Sequence, residues 1–211
     1  MKTSQSFEFL PPLLLRKPLI ADSNADYFGC RFANFKILIM PGLHGSDNDH
    51  WQSAWERWYP EFQRVEQPDW ESAELDNWAR RLIDKATGSF RPVIVVAHSF
   101  GCLATIRASE LQPGLIAGAL LVAPADPARF SLESHLPVSN LDIQTTIVAS
   151  TNDPYMRLER AGQWADRWGS QIVTLKDAGH INVQSGYRSW PWGLELLESV
   201  CQRAGRYPRK Q

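Results

Sequence analysis

Short apolar runs bounded by turn residues alternate along this chain with longer stretches whose apolar positions recur every three or four residues. The runs are Lys36–Met40, Val93–Val96, Gly118–Val122, Thr145–Ser150 and Gln171–Leu175, with a shorter one around Val65. Runs this short and this continuously apolar predict strands buried on both faces, as in a parallel sheet. The longer stretches predict helices. Trp51, Trp55 and Trp58 recur at i, i+4 and i+7, which predicts a helix beginning near His50, capped by Asp49, with its tryptophans turned to the core. Ala73–Ala86, the segment after Gly101, Tyr155–Trp168 and Trp192–Arg203 show the same periodicity. Strand–helix alternation of this kind predicts an α/β fold, a compact three-layer sandwich of about six largely parallel strands wrapped by helices. The intervals are used up by these elements and leave no room for a sizeable cap domain. Residues 1–34 lack periodicity and carry Pro11, Pro12 and Pro18. They read as an N-terminal extension, partly ordered at best, before a single domain over residues 35–211.

Composition narrows the function without naming it. A chain of 211 residues with 44% hydrophobic and 21% charged positions can bury one proper core. The net charge of -1 provides no field for nucleic acid and no basic face for a membrane surface. Leu10–Leu15 is apolar but short and broken by prolines, far from the roughly 18 apolar residues of a spanning helix. Cys30, Cys102 and Cys201 are widely spaced and form no C-x-x-C pair, which predicts free thiols in a reducing, cytoplasmic setting. Asp47, Asp49 and His50 crowd a helix start, where such residues cap rather than bind metal. No metal and no cofactor is expected.

The chemistry begins where the run Val93–Val96 breaks at Ser99. A serine between a buried strand and a helix sits on a tight turn that pushes its side chain out of the backbone. Small residues are needed two positions to either side, where strand and helix nearly touch, and Ala97 and Gly101 fill those places as A-x-S-x-G. A serine hydroxyl needs an adjacent base, and histidine is the usual one. His98 diverges from Ser99 as its chain neighbour. His180 follows the last strand in Gly179-His-Ile-Asn182, on a loop at the same sheet edge as the serine. Asp153, in Asn152-Asp-Pro-Tyr155 after the preceding strand, is the candidate acid. Asp177 competes from the segment of His180 itself, and Asp126 from an earlier loop. The order Ser99, Asp153, His180 is that of α/β-hydrolases. An oxyanion hole would take the backbone N–H of Phe100 and one from the loop Met40-Pro-Gly-Leu-His-Gly45, Leu43 ahead of His44. His44 and Tyr155 are candidate substrate contacts. Cys102 reads as a small buried hydrophobe.

These residues resemble a family, the small serine hydrolases grouped with retinoblastoma-binding protein nine and the bacterial YdeN proteins. The resemblance runs from about Lys36 to Leu197. It rests on Pro41-Gly42, His50-Trp-Gln52 with Trp55, Ala97-His-Ser-Phe-Gly101, Ser150-x-x-Asp-Pro-Tyr155 and Gly179-His-Ile-Asn182. Ala97 stands where the family more often has glycine. The resemblance implies a triad of Ser99, Asp153 and His180, no metal, and hydrolysis of ester or related acyl bonds. The expected partner is therefore a small-molecule acyl substrate. The sequence points to no nucleic acid, no membrane and no particular protein partner. Two other readings stand beside this one: a protein-interaction module on a hydrolase scaffold with an idle triad, and acyl transfer or amide cleavage through the same residues.

Overall fold

The computed structural model describes residues 31–206. Most of the expected extension, with its prolines, the Leu10–Leu15 run and Cys30, lies outside the described residues. The elements follow in the order β1 (Lys36–Met40), α1 (Trp51–Trp58), β2 (Gln63–Arg64), α2 (Leu75–Ala86), β3 (Val93–His98) and α3 (Phe100–Leu111). After them come β4 (Ile116–Val122), β5 (Gln144–Ser150), α4 (Leu158–Trp168), β6 (Gln171–Leu175) and α5 (Pro191–Arg206). The six strands form one sheet in the order β2-β1-β3-β4-β5-β6, and every pair is parallel.

Strand periodicity sorts the apolar side chains onto the two faces of the sheet. Leu38, Met40, Val95, Ala97, Leu121 and Ile147 pack on one side with Trp78, Leu82, Leu103, Trp164 and Trp168 of α2, α3 and α4. Ile37, Ile39, Ile94, Val96, Leu120 and Val148 pack on the other with Trp51, Trp55, Leu197 and Val200 of α1 and α5. The result is an α/β-hydrolase sandwich of three layers, with no large cap among the described residues. The strand order reverses between β1 and β3, and in such a sheet the crevice beyond the carboxyl ends of those two strands is the natural ligand site.

Several expectations need correcting. β6 is not buried on both faces: it lies at the sheet edge, paired only with β5, and Ile172 is 41% exposed. Trp51 and Trp55 are buried, but Trp58, the last residue of α1, is 41% exposed and leaves the stripe incomplete. The cap of α1 is His50, not Asp49. His50 Nδ1 accepts from the Gln52 N–H at 3.2 Å, and Asp49 pairs with Arg188 instead. α4 begins at Leu158 rather than Tyr155, because Asp153 Oδ1 accepts the Tyr155 N–H (2.9 Å) and holds the intervening residues in a loop. Within the expected extension, Phe32 is buried against Tyr59 and Phe62, and Arg31 pairs with Glu198 of α5. Among the described residues no helix is long and apolar enough to cross a membrane.

Candidate active site

Ser99 separates β3 from α3 with φ 53° and ψ -121°. A positive φ at a non-glycine residue is strained and persists only where surrounding bonds hold it. Here the Ser99 N–H donates to Val122 O (3.1 Å), and Ser99 O accepts from Cys102 N (3.0 Å) and Ala125 N (3.2 Å). The requirement for small residues has a different origin from the expected one. A Cβ on Gly101 would lie 2.3 Å from Pro41 O and 2.5 Å from Met40 O, and one on Gly42 would lie 2.7 Å from Ser99 Cβ. The neighbour that excludes a side chain is therefore the loop after β1, rather than the strand leading into Ser99. Ala97 keeps its methyl within the core. Cys102, close to Ser99 in sequence, is buried, and burial pushes its thiol well above the usual range, so it stays protonated.

His180 and Asp153 meet across the ends of β6 and β5. His180 Nδ1 lies 3.1 Å from Asp153 Oδ1 and 3.0 Å from Oδ2, and the two side chains are only 8% and 3% exposed. A carboxylate accepts only, so Nδ1 carries the proton and the lone pair of the neutral ring is left on Nε2. His180 and Ser99 line the same cleft, about 630 Å³ in volume. The Ser99 hydroxyl makes no hydrogen bond among the described residues; such contacts commonly tighten only with substrate in place. Of the competing acids, neither meets His180. Asp177 is exposed and exchanges hydrogen bonds with Thr151. Asp126 caps the turn Pro127–Phe130 through Ala128 N (3.1 Å) and faces Arg160.

The loop after β1 sorts the two expected N–H donors. His44 N–H is committed to Trp70 O at 2.9 Å, whereas Leu43 N–H has no partner among the described residues. Phe100 is the first residue of α3, where a helix has N–H groups without intrahelical acceptors and a partial positive charge. The His44 imidazole sits at the rim, 2.8 Å from Glu71, both well exposed. Tyr155 sets its ring against His180 with centroids 4.4 Å apart.

Three residues hold the site in ways their sequence positions did not indicate. Gln52 is fully buried. Its amide donates to Met40 O (3.3 Å) and Val96 O (3.0 Å) and accepts from Ser46 Oγ (2.6 Å), bridging the carboxyl ends of β1 and β3. Trp51 Nε1 donates to Ile181 O (2.9 Å), and His98 Nε2 donates to His180 O (2.9 Å), so two buried rings hold the loop that carries the imidazole. Burial and the neighbouring His180 and His50 keep His98 well below the usual histidine range. Burial lowers His50 to about 4. Both are neutral at pH 7. The signal for Gln52 was an amide set among buried tryptophans, since a polar side chain there needs buried partners. Among the described residues no cluster of three His, Cys, Asp or Glu could hold a metal ion. Asp47 instead accepts the Asp49 N–H.

A family model described as serine hydrolase matches residues 37–199. The chain is similar to the solved structure of a YdeN-like hydrolase from Pectobacterium atrosepticum, with 37% identity over 86% of this chain and 99% of the other, and a TM-score of 0.81. The ydeN gene product of Bacillus subtilis is 21% identical, over 79% of this chain and 98% of that one, with a TM-score of 0.65. Est1E of Butyrivibrio proteoclasticus, solved with ferulic acid bound, shares the fold at 15% identity, over 76% and 88% of the two chains, with a TM-score of 0.56. No curated protein matches the chain.

Proposed function

The chain belongs to the serine hydrolase family, and from that premise we propose that it cleaves an ester or related acyl bond of a small substrate through Ser99, His180 and Asp153. The observation that carries this reading is the Asp153–His180 pair, with Nδ1 held at 3.0 and 3.1 Å by both carboxylate oxygens, beside a cleft that Ser99 also lines. His180 Nε2 takes the proton of Ser99 as Oγ attacks the acyl carbonyl. Asp153 fixes the ring and stabilises the imidazolium that forms. The N–H groups of Leu43 and Phe100 receive the charge that develops on the carbonyl oxygen. His180 then gives its proton to the leaving alkoxide, which departs as the alcohol. Water, deprotonated by the same nitrogen, attacks the acyl-enzyme, and the acid is released with Ser99 regenerated.

The test is labelling by a fluorophosphonate probe, which requires an activated serine. Wild type labels at Ser99, and Ser99→Ala does not. A folded wild type that resists the probe, and turns over none of a broad set of acyl esters, would overturn the reading in favour of an idle scaffold.

A further inference from the structure

Among the described residues, Arg129 is the one lysine or arginine on the wall of the cleft. It lies in the turn Pro127–Phe130 that follows β4. The carboxylates nearest it in sequence are committed elsewhere: Asp126 and Glu133 both face Arg160. Arg129 makes no ion pair among the described residues. One Nη1–H donates to Pro154 O at 3.0 Å, and the guanidinium lies over the Tyr155 ring, 5.2 Å from its centroid. A guanidinium has five N–H donors, so most of its fork is unspent. The same tyrosine ring lies 4.4 Å from the imidazole of His180. A single aromatic ring thus contacts both an uncompensated planar cation and the proposed base. The carboxylate that shares the cleft wall, Asp47, sits on the loop before α1 with one oxygen accepting the Asp49 N–H, and Glu71 at the rim faces His44.

A fork held in place at one N–H by a carbonyl and supported on an aromatic face matches the two oxygens of a carboxylate. We propose that Arg129 is a specificity-determining residue that receives a carboxylate borne by the substrate, so that the preferred substrates are anionic esters. This rests on the ester-cleaving reading above and adds to it the class of substrate. The carboxylate is a spectator of the chemistry; it binds and orients. Because Arg129 is exposed, its effect is the modest one of an exposed charge-assisted contact, about two- to fivefold in kcat/KM and carried mainly by KM.

The experiment uses substrate twins that differ by one charge: monomethyl against dimethyl adipate, with the carboxylate on the acyl side, and 4-acetoxybenzoate against its methyl ester, with the carboxylate on the leaving group. Hydrolysis is followed by pH-stat titration for wild type, Arg129→Gln and Arg129→Lys. The acid-to-neutral ratio of kcat/KM is expected to fall about two- to fivefold in Arg129→Gln for at least one twin pair and less in Arg129→Lys, which keeps the charge but not the fork. In wild type the ratio should also shrink as salt is raised to screen the contact. An unchanged ratio in Arg129→Gln for both pairs would overturn the inference while leaving the hydrolase reading intact. Turnover of neither member of either pair by wild type would overturn the inference, and the hydrolase reading with it where Ser99 also resists the fluorophosphonate probe and no ester of the broad set is turned over.

Discussion

Replacing Gln52 by Met keeps the length and volume of the side chain and deletes its hydrogen bonds, which makes it a sharp test of how the site is held. Three groups lose a hydrogen bond: Met40 O at 3.3 Å and Val96 O at 3.0 Å, which keep their ladder bonds in the β1–β3 pairing, and Ser46 Oγ at 2.6 Å, which is left without its acceptor. All belong to buried residues, so bulk water does not replace the amide. An unsatisfied buried polar group costs about 1–3 kcal/mol. That applies to the Ser46 hydroxyl; the two carbonyls, still paired in the ladder, lose about 0.5 kcal/mol each, so the sum is roughly 2–4 kcal/mol. In a domain of this size each kcal/mol lowers the melting temperature by about 2–4 °C, which places the expected drop near roughly 10 °C by thermal circular dichroism. Activity should fall further than stability alone explains. The two carbonyls lie at or near the ends of the strands that lead to Leu43 and Ser99, and a displacement of about 1 Å in such groups costs about a hundredfold. Turnover of a p-nitrophenyl ester at 25 °C, well below the melt, separates the two effects. A melting temperature lowered by less than about 2 °C with unchanged turnover would refute the reasoning.

Asp153→Asn should lower kcat by about a thousandfold or more with little change in melting, because the amide oxygen can still accept the Tyr155 N–H; Asp177→Asn should stay near wild type, and the reverse pattern would reassign the acid. Acid should destabilise the fold through its buried histidines. His50 is held at about 4 against 6.5 in the unfolded chain, so between those values the unfolded state binds more protons. Its contribution, about 3 kcal/mol, is full above pH 6.5 and is lost as the pH falls towards 4, with His98 acting in the same direction. Urea midpoints should therefore drop between pH 7.5 and 5, and less so in His50→Asn, which retains a capping side chain; parallel pH profiles for the two proteins would count against this. Gly101→Ala places a methyl 2.3 Å from Pro41 O and 2.5 Å from Met40 O, both backbone atoms. The β1 loop must shift, and turnover should fall by at least about tenfold with a loss of roughly 1–3 kcal/mol in stability; wild-type kinetics in this variant would show that the loop yields without cost.

The parts of this protein legible in its sequence are those written in contiguous residues. β1 and β6 have the predicted bounds, Lys36–Met40 and Gln171–Leu175, because an apolar run between turn residues is a local signal. Ser99, Asp153 and His180 could be singled out because each follows a strand of a parallel sheet and so emerges at the same edge. What could not be read depends on approach between distant segments. Nothing near Gly101 in the chain says that it abuts Pro41, and nothing near His98 says that it meets the carbonyl of His180. The exposure of β6 depends on its being last in the sheet order rather than on its own residues, and the three short turns Pro127–Phe130, Glu133–His135 and Val183–Ser185 carry too few residues to show a period. The cap of α1 fell one residue from its expected place because Asp49 and His50 both carry an acceptor, and it is the ion pair with Arg188 that takes Asp49 away.

The exposed edge strand β6 gives the two halves of the site unequal local stability. Ser99 follows β3, which has paired neighbours on both sides, whereas His180 hangs beyond a strand paired on one side only. The loops after β5 and β6 are also stitched to each other, Ala178 N to Ser150 Oγ at 3.0 Å and Gly179 N to Asn152 Oδ1 at 2.7 Å. Strand edges open at lower free energy than the centre of a sheet, so amide exchange should be faster around β6 than along β3. Warming would then withdraw the imidazole and its carboxylate together, as one small cooperative unit, from a serine that is still correctly strained. Catalysis would fade reversibly at temperatures where the fold as a whole is intact, and cooling would restore it without refolding.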